Sequence, residues 1–453
     1  MPALTGRVAL TQSLTGALAR ASRPMSRTLP LHLHAPAAQP ALSHTRRTAL
    51  PWRPGRLLSA PHRLAFAAGT AVLLLVALWW AGTLLARAAG VAVPAGLPSG
   101  TLHALLMGFG FMPLFFTGFL FTAGPRWLGL PPPAVRHLRG PVQAQAAGAL
   151  VLGLAGFAHD PALARLLAAL GLAALAAGWG RAVLHFTRLL LRSAATDKLH
   201  ASVVTVAGAF GAVLMVVAAG SVAAGDLATV HETVRVALWA FAGVVYAAVA
   251  HRMIPFFSAA AVPALDAWRP QWLLASFVMV LGFEGFVHWA PVPLALQAAI
   301  EAAAGLGWTL LALRWGLLHS LRNRLLAMLH LGFVWLGVAM GLAAVSHGLQ
   351  AAGQPGLGLA PLHAYTMGFL GSTLVAMVTR VSAGHSGRAL AVDTGAWVLF
   401  WVLQAAVIGR IMSDIAQLPL LTWAAVTWAA ALLPWGLRHL AWYGRPRVDG
   451  RPG

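Results

Sequence analysis

Long apolar runs without a charged side chain are the feature that most constrains the fold of this chain. Hydrophobic residues make up 59% of the sequence and charged residues only 9%. A membrane-spanning helix needs ~20 mostly apolar residues, and runs of that length recur along the chain. Backbone polar groups cannot stay unpaired in lipid, so these runs must be helical. The sequence therefore predicts an all-α, polytopic integral membrane protein.

Twelve membrane spans are predicted between two short tails. They cover residues 64–88, 102–123, 142–158, 161–186, 200–222, 231–250, 272–290, 293–313, 325–346, 361–380, 394–411 and 416–437. Residues 1–60 contain no acidic residue and are predicted to form a disordered, basic cytoplasmic tail. Residues 61–440 form the twelve-helix domain, and residues 441–453 form a second short basic cytoplasmic tail.

The positive charges predict the orientation of the spans. With these spans, 26 of the 31 Lys and Arg residues fall in the two tails and in the loops on one side. Such loops face the cytoplasm, so both termini are predicted inside. The exceptions are Arg87, Arg165, Arg181, Arg235 and Arg410. The net charge of +21 is therefore explained by membrane topology, and nucleic acid is not an expected partner.

The composition also limits the metal chemistry that is available. The chain has no cysteine, which excludes disulfides, thiolate metal sites, iron–sulfur clusters and covalent haem attachment through cysteine. Ten Asp and Glu residues are too few for a carboxylate-rich metal cage. Histidine, with 18 copies, is the main metal ligand that remains.

A seven-residue motif, H-A-x-x-M-G-F, occurs twice and begins at His103 and at His363. Both copies begin an apolar run, and His231 stands between them, 128 residues after His103 and 132 before His363. Each interval contains four predicted spans. We therefore predict three repeats of four helices, each with a histidine at the outer end of its second helix. In the middle unit, the position equivalent to Met107 and Met367 is occupied by Arg235.

The first and third histidines are candidate axial ligands of haem b. Haem in a membrane helix bundle needs imidazoles on facing helices, and His103 and His363 meet that need. Met107 and Met367 share the helix face of these histidines, where they could pack on the porphyrin, bind copper or simply fill the core. The glycines that follow each histidine would let a flat macrocycle approach the backbone. They are Gly108, Gly110, Gly368 and Gly371.

Further histidines lie in the outer layer, at the ends of spans. His231, His288 and His347, together with Glu284, could form a second, copper-type site. Glu284 and His288 are four residues apart and share one helical face, so they could also relay protons. The alternative is a wetted pair of side chains at the headgroup level.

On the inner side, His330 lies deepest and is the best ligand candidate for a second haem, with His251 or His385 as its partner. Arg252, Arg380 and Arg388 could hold haem propionates by bidentate pairing. The alternative is that these arginines only mark the cytoplasmic side of the membrane.

Four blocks of sequence resemble the NnrS family, haem- and copper-containing membrane proteins of the bacterial nitric oxide response. The blocks are His103 to Gly129, Arg252 to Phe257, His330 to Phe333, and His363 to Arg388. The first block of the family often reads H-A-H-E-M. In this chain, Leu105 and Leu106 occupy the positions of the second histidine and of the glutamate in that pattern.

The resemblance implies haem b, copper, nitric oxide or a similar diatomic ligand, a place in the bacterial inner membrane and a role in nitrosative stress. Any enzyme activity would be that of an oxidoreductase on nitric oxide or a related species, which needs an electron donor. A more distant likeness to the catalytic subunit of haem–copper oxidases also rests on twelve helices with histidines on the second and tenth. That subunit's paired copper histidines are missing here, so a complete oxygen- or nitric-oxide-reducing centre is not expected.

A different class of function is a twelve-helix secondary transporter with structural histidines. That hypothesis predicts broken helices and two-part inverted symmetry, whereas the histidine spacing indicates three parts. A membrane scaffold without a cofactor would not explain the layer of histidines.

Overall fold

The computed structural model describes residues 51–94 and 96–450, and the regular structure in these ranges is helical without a β-strand. Twelve long helices follow one another in the described chain. They are α1 (Pro61–Ala88), α2 (Ser99–Trp127), α3 (Arg136–Leu154), α4 (Pro161–Arg192), α5 (Leu199–Ala224), α6 (Leu227–Ala261), α7 (Gln271–Phe286), α8 (Leu294–Arg314), α9 (Arg324–Ala351), α10 (Ala360–His385), α11 (Thr394–Ile415) and α12 (Leu421–Tyr443). The predicted all-α class is confirmed, and each predicted span overlaps one of these helices.

Nine of the helices in the described part of the chain are long and apolar enough to cross a membrane. The other three, α3, α7 and α12, are shorter or less apolar; α7 has only 16 residues. The helices thus make the chain a multi-pass membrane protein.

Several helix starts use the few acidic residues as caps. Asp160, Asp226 and Asp393 precede α4, α6 and α11, and each accepts a hydrogen bond from the backbone N–H three residues later, at 2.7–3.1 Å. Asn323 caps α9 in a similar way. These side chains satisfy N–H groups that have no partner inside the helix, and therefore define where the helices begin.

The predicted repeat of four helices appears as a ring. The last helix of each unit packs on the first helix of the next: α4 on α5, α8 on α9, and α12 back on α1. The second helices, α2, α6 and α10, are the most buried membrane-length helices, with 83, 83 and 72% of their apolar windows inside the protein. The three helices that carry the repeated histidines therefore lie innermost.

The predicted tails are only partly within the described residues. Residues 1–50 and 451–453 lie outside them, so the disordered N-terminal tail stays a prediction. Residues Pro54–Ser59 form a 3₁₀ helix, and the backbone N–H of Arg53 donates to Gly444 O at 2.8 Å. The predicted boundary at residue 441 falls inside α12, which ends at Tyr443.

Candidate cofactor cavity

A cavity of about 560 Å³ lies among the innermost helices, and side chains of α2, α6 and α10 form much of its wall. Its volume is within the range of small-molecule and cofactor sites. The wall is mostly apolar, with a few polar groups. The members that come from the repeated motif are His103, Met107, His231, Arg235, His363 and Met367.

The repeat explains why these six side chains meet. Each pair is spaced by four residues, so its two members lie on the same face of one helix. Because α2, α6 and α10 are related by the repeat, their equivalent faces point to the same space. Both predicted axial ligands and both predicted methionines line this cavity, and so does the histidine of the middle unit.

His363 is held in a defined orientation by its own helix. Its Nδ1 lies 3.0 Å from Leu359 O, and a carbonyl oxygen can only accept a hydrogen bond. Nδ1 therefore carries the proton, and in the neutral imidazole Nε2 keeps its lone pair. Metal-binding histidines commonly use one ring nitrogen as a hydrogen-bond donor in this way and bind metal through the other.

His103 is held by an aromatic neighbour. Its ring stacks on Trp80 of α1, with ring centroids 4.1 Å apart and an interplanar angle of 21°. Within the described residues, His103 Nδ1 is buried without a hydrogen-bond partner. A buried polar atom without a partner is costly, so this imidazole lacks an interaction that a bound ligand or water could supply.

His231 differs from the other two. Its Nε2 lies 3.0 Å from Thr101 Oγ1 on α2, and this hydrogen bond joins the second helices of two units. A protein side chain already engages this nitrogen. His231 is therefore a less suitable metal ligand than His103 or His363, although it lines the same cavity.

Each of the three inner helices contains a π-helical segment close to its histidine. The segments are Leu106–Gly110, Ala237–Gly243 and Ala364–Gly371. Such segments change the hydrogen-bond register of a helix and are frequent at functional sites. Tyr365 Oη donates to Leu238 O at 2.8 Å, so two of the π segments are joined directly.

Two arginines in the cavity wall were not singled out from the sequence as site residues. They are Arg235 and Arg410. Both lie outside the predicted cytoplasmic loops, and this departure from the positive-inside pattern is the sequence feature that could have marked them as site residues. Arg410 is 8% exposed, and its Nη1 lies 2.8 Å from Asp414 Oδ1. The contact is an ion pair by distance but not an aligned hydrogen bond, so Nη1 has no hydrogen-bond acceptor in the part of the chain that the structure describes.

The glycines of the two motifs serve mainly to pack helices. A methyl group on Gly368 would lie 2.7 Å from the Trp335 ring, and one on Gly108 would lie 3.3 Å from Val234. Of the four glycines predicted to admit a macrocycle, only Gly371 lines the cavity. Helix packing therefore accounts for the close approach at Gly108 and Gly368.

The comparison with known families agrees with this geometry. The sequence model of the family described as NnrS protein matches residues 56–447. The chain belongs to the NnrS family. The match contains α1 to α12 and the whole cavity, and family membership makes this a membrane protein related to the nitric oxide response. No match was found among curated proteins.

In this NnrS-family chain, the predicted inner arginines do not line the cavity. Each lies over an aromatic ring instead: Arg252 over Trp127 at 5.1 Å, Arg380 over Phe257 at 3.8 Å and Arg388 over Trp442 at 4.4 Å. Arginines over aromatic faces are stabilised by cation–π attraction. These three residues therefore are not the polar groups that the cavity offers to a cofactor.

The predicted inner histidines contact different partners. His251 Nε2 donates to Pro270 O at 3.1 Å, and His251 Nδ1 accepts from His200 Nε2 at 2.9 Å, so both nitrogens of His251 are engaged. His330 Nε2 lies 2.8 Å from Ser258 Oγ, and its Nδ1 is buried without a partner among the described residues. The ring of His385 lies 4.5 Å from the ring of His62.

The residues of the predicted copper-type site contact separate partners. His231 bonds to Thr101, His288 Nδ1 lies 3.6 Å from Glu232, and His347 Nδ1 donates to Glu301 at 2.8 Å. The fourth residue, Glu284, is 4% exposed and its Oε1 has no hydrogen-bond partner in the described chain. Across residues 51–94 and 96–450, no three His, Asp or Glu side chains converge in a way that could hold a metal. The structure therefore does not assemble this predicted set.

His347→Ala is expected to destabilise the protein clearly. The Glu301 side chain is 1% exposed and would lose the partner that accounts for its burial. A buried carboxylate left without its hydrogen-bond partner costs at least about 1–3 kcal/mol. The thermal unfolding midpoint in detergent should fall, and Glu301→Gln in the same chain should restore part of it because a neutral amide is cheaper to bury.

His288→Ala is the matched control for this prediction. Its partner Glu232 is 38% exposed and 3.6 Å away, so the effect should stay below about 1 kcal/mol. Equal shifts of the midpoint in the two variants would contradict a structural role of the His347–Glu301 pair.

Proposed function

We propose that this protein binds haem b in the 560 Å³ cavity, with His103 and His363 as axial ligands, and acts through that group in the response to nitric oxide. The observation that carries the proposal is the convergence of two imidazoles from α2 and α10 on one apolar cavity. His363 Nδ1 is fixed by Leu359 O, and His103 Nδ1 is buried without a partner among residues 51–94 and 96–450. Both facts suit imidazoles that bind a ligand from the cavity.

The other lining residues also suit haem. Trp80, Met107 and Met367 offer apolar or polarisable surfaces for a flat macrocycle. Arg235 and Arg410 are cationic groups that would pair with its carboxylates. The apolar wall would exclude water. When bound, haem would supply a redox-active iron, to which a diatomic ligand could bind in place of one of the two imidazoles. The proposal is limited to haem, since no comparable ligand set for copper converges in the described residues.

The location is part of the proposal. The distribution of Lys and Arg supports a bacterial inner membrane protein with both termini in the cytoplasm. The cavity then lies toward the outer face, because the repeated histidines stand at the starts of α2, α6 and α10.

An optical spectrum of the purified protein tests the proposal. Oxidised and dithionite-reduced samples should show a b-type haem spectrum, with at least one haem per chain. Titration with nitric oxide should then change that spectrum. A clean preparation without a Soret band, even after haem supplementation during expression, would overturn the proposal and favour the transporter hypothesis.

Arg410→Gln is expected to weaken haem retention about tenfold, because a charge-assisted hydrogen bond contributes roughly 1.5–3 kcal/mol and 1.4 kcal/mol is a factor of ten. Transfer of haem to apomyoglobin measures the retention. Arg314→Gln is the control, since Arg314 is half exposed and pairs with Asp266 away from the cavity. Equal transfer rates for the two variants would show that Arg410 does not hold the cofactor.

A further inference from the structure

A second, smaller cavity of about 60 Å³ adjoins the cofactor cavity. Tyr246 of α6 and Leu374 of α10 line both cavities, so these two side chains form the partition between them. Tyr246 follows His231 by 15 residues, and Leu374 follows His363 by 11. At about 1.5 Å per helical residue, the partition lies roughly 20 Å along the inner helices from the repeated histidines. The second cavity is therefore deep within the helix bundle.

The wall of the second cavity is apolar. Phenylalanine, leucine, valine and methionine side chains form most of it, and it exposes almost no polar surface. Among its lining residues in the described chain, Tyr246 and Thr373 carry hydroxyl groups, but both oxygens are buried behind the cavity surface. A buried water molecule needs two to four polar partners, and apolar cavities stay dry and bind small apolar molecules instead. This wall therefore favours an apolar occupant over water.

The size of the second cavity limits what can occupy it. One water molecule needs about 10–15 Å³ of cavity volume, whereas drug-sized ligands occupy about 300–1,000 Å³. A volume of about 60 Å³ has room for a diatomic molecule or a xenon atom, but not for a macrocycle. The occupant that fits both the wall and the volume is an apolar gas molecule.

Packing alone holds the partition between the two cavities. The Tyr246 ring meets the rings of Phe116 and Phe369 at centroid distances of 5.5 Å and 5.9 Å, with interplanar angles of 73° and 62°. Tyr246 Oη has no hydrogen-bond partner among the described residues. The other member of the partition, Leu374, is apolar. Movement of these two side chains therefore breaks no polar contact within the described chain, and a diatomic molecule can pass when they shift.

We infer that the second cavity is a docking site for an apolar diatomic gas, which passes between Tyr246 and Leu374 into the cofactor cavity. The docking requires no cofactor, because the wall and the volume of the second cavity select the gas. The passage toward a reactive group rests on the proposed function.

Xenon-pressurised crystals of the purified full chain test the docking site, since xenon is apolar, is close to a diatomic molecule in size and is located by anomalous scattering. We expect a xenon atom beside Phe116 and Tyr246, with or without haem. Ala250→Leu enlarges a side chain that lines the second cavity and should abolish this xenon site. Ala260→Leu is the matched control, because it makes the same change at an exposed position of α6, and it should keep the xenon.

If Ala250→Leu does not fold, Val249→Phe enlarges the neighbouring lining residue and provides the same test. Wild-type crystals without xenon in the second cavity would overturn the docking site. So would ordered water in that cavity that xenon pressure does not displace.

Rapid mixing of the haem-loaded protein with nitric oxide tests the passage. Association should be slower in Ala250→Leu than in the wild-type protein and in Ala260→Leu. An unchanged rate in a variant that has lost its xenon site would overturn the passage, although the xenon result would still support the docking site. A protein that binds no haem would overturn the proposed function, whereas the xenon experiment would still decide the docking site.

Discussion

The His363→Ala protein is expected to stay in the membrane fraction and, once purified, to lack the low-spin b-type spectrum of the wild-type protein. The imidazole of His363 is positioned by the bond from Nδ1 to Leu359 O, and the alanine variant offers no other nitrogen at that place in the cavity. The side chain is only half-buried and is tied to its own helix, so the fold should tolerate its loss. The measurement is the haem-to-protein ratio together with the reduced spectrum.

Added imidazole should restore part of the spectrum in this variant, because a free imidazole can enter the space left by the side chain. A purely structural histidine would not show such rescue. His319→Ala, at an exposed position in the short helix Leu317–Ser320, should keep the wild-type spectrum. Full haem content with an unchanged spectrum in His363→Ala would remove His363 from the ligand pair.

Gly171→Ala is expected to cause the largest loss of stability from a single methyl group. In α4, that methyl would lie 2.5 Å from Leu152 N and 2.7 Å from Gly148 O, both backbone atoms of α3. Helix backbones in membranes approach closely where small residues face each other. A backbone atom cannot rotate away as a side chain can, so α3 and α4 must separate. Overpacking of this kind costs about 1–3 kcal/mol, and we expect the upper end.

The thermal midpoint and the monodisperse fraction in detergent would measure this effect. Gly180→Ala is the matched control in the same helix, because its new methyl would meet only Ala212 Cβ at 4.0 Å. The control should behave like the wild-type protein. A Gly171→Ala protein as stable as Gly180→Ala would show that α3 and α4 can move apart at little cost.

Much of the architecture could be predicted from the sequence because its causes are local. Charge-free runs must be helical in lipid, and each predicted span overlaps a helix. The spacing of His103, His231 and His363 predicted three units, and the ring of contacts in the structure follows them. The four-residue spacing from each histidine to Met107, Arg235 or Met367 also placed these residues on one helix face.

The partners of buried charges could not be predicted, because they join distant parts of the chain. Glu284 and His288 looked like a pair from their spacing, whereas Glu284 is buried and His347 bonds to Glu301 on a neighbouring helix. Arg252, Arg380 and Arg388 looked like cofactor ligands, yet the cavity contains Arg235 and Arg410. Which face of a helix is turned toward which neighbour depends on packing.

The sequence by itself determined the class of the protein, its helices and the repeat, since hydropathy and spacing act along a single chain segment. The tertiary structure alone decided that Nε2 of His231 is engaged by Thr101 of another helix. His363 instead bonds through Nδ1 to Leu359 O one turn back in its own helix, and its Nε2 has no hydrogen bond within the described chain. Equivalent histidines thus acquire different chemistry, because a hydrogen bond depends on the atom that the fold places within about 3 Å.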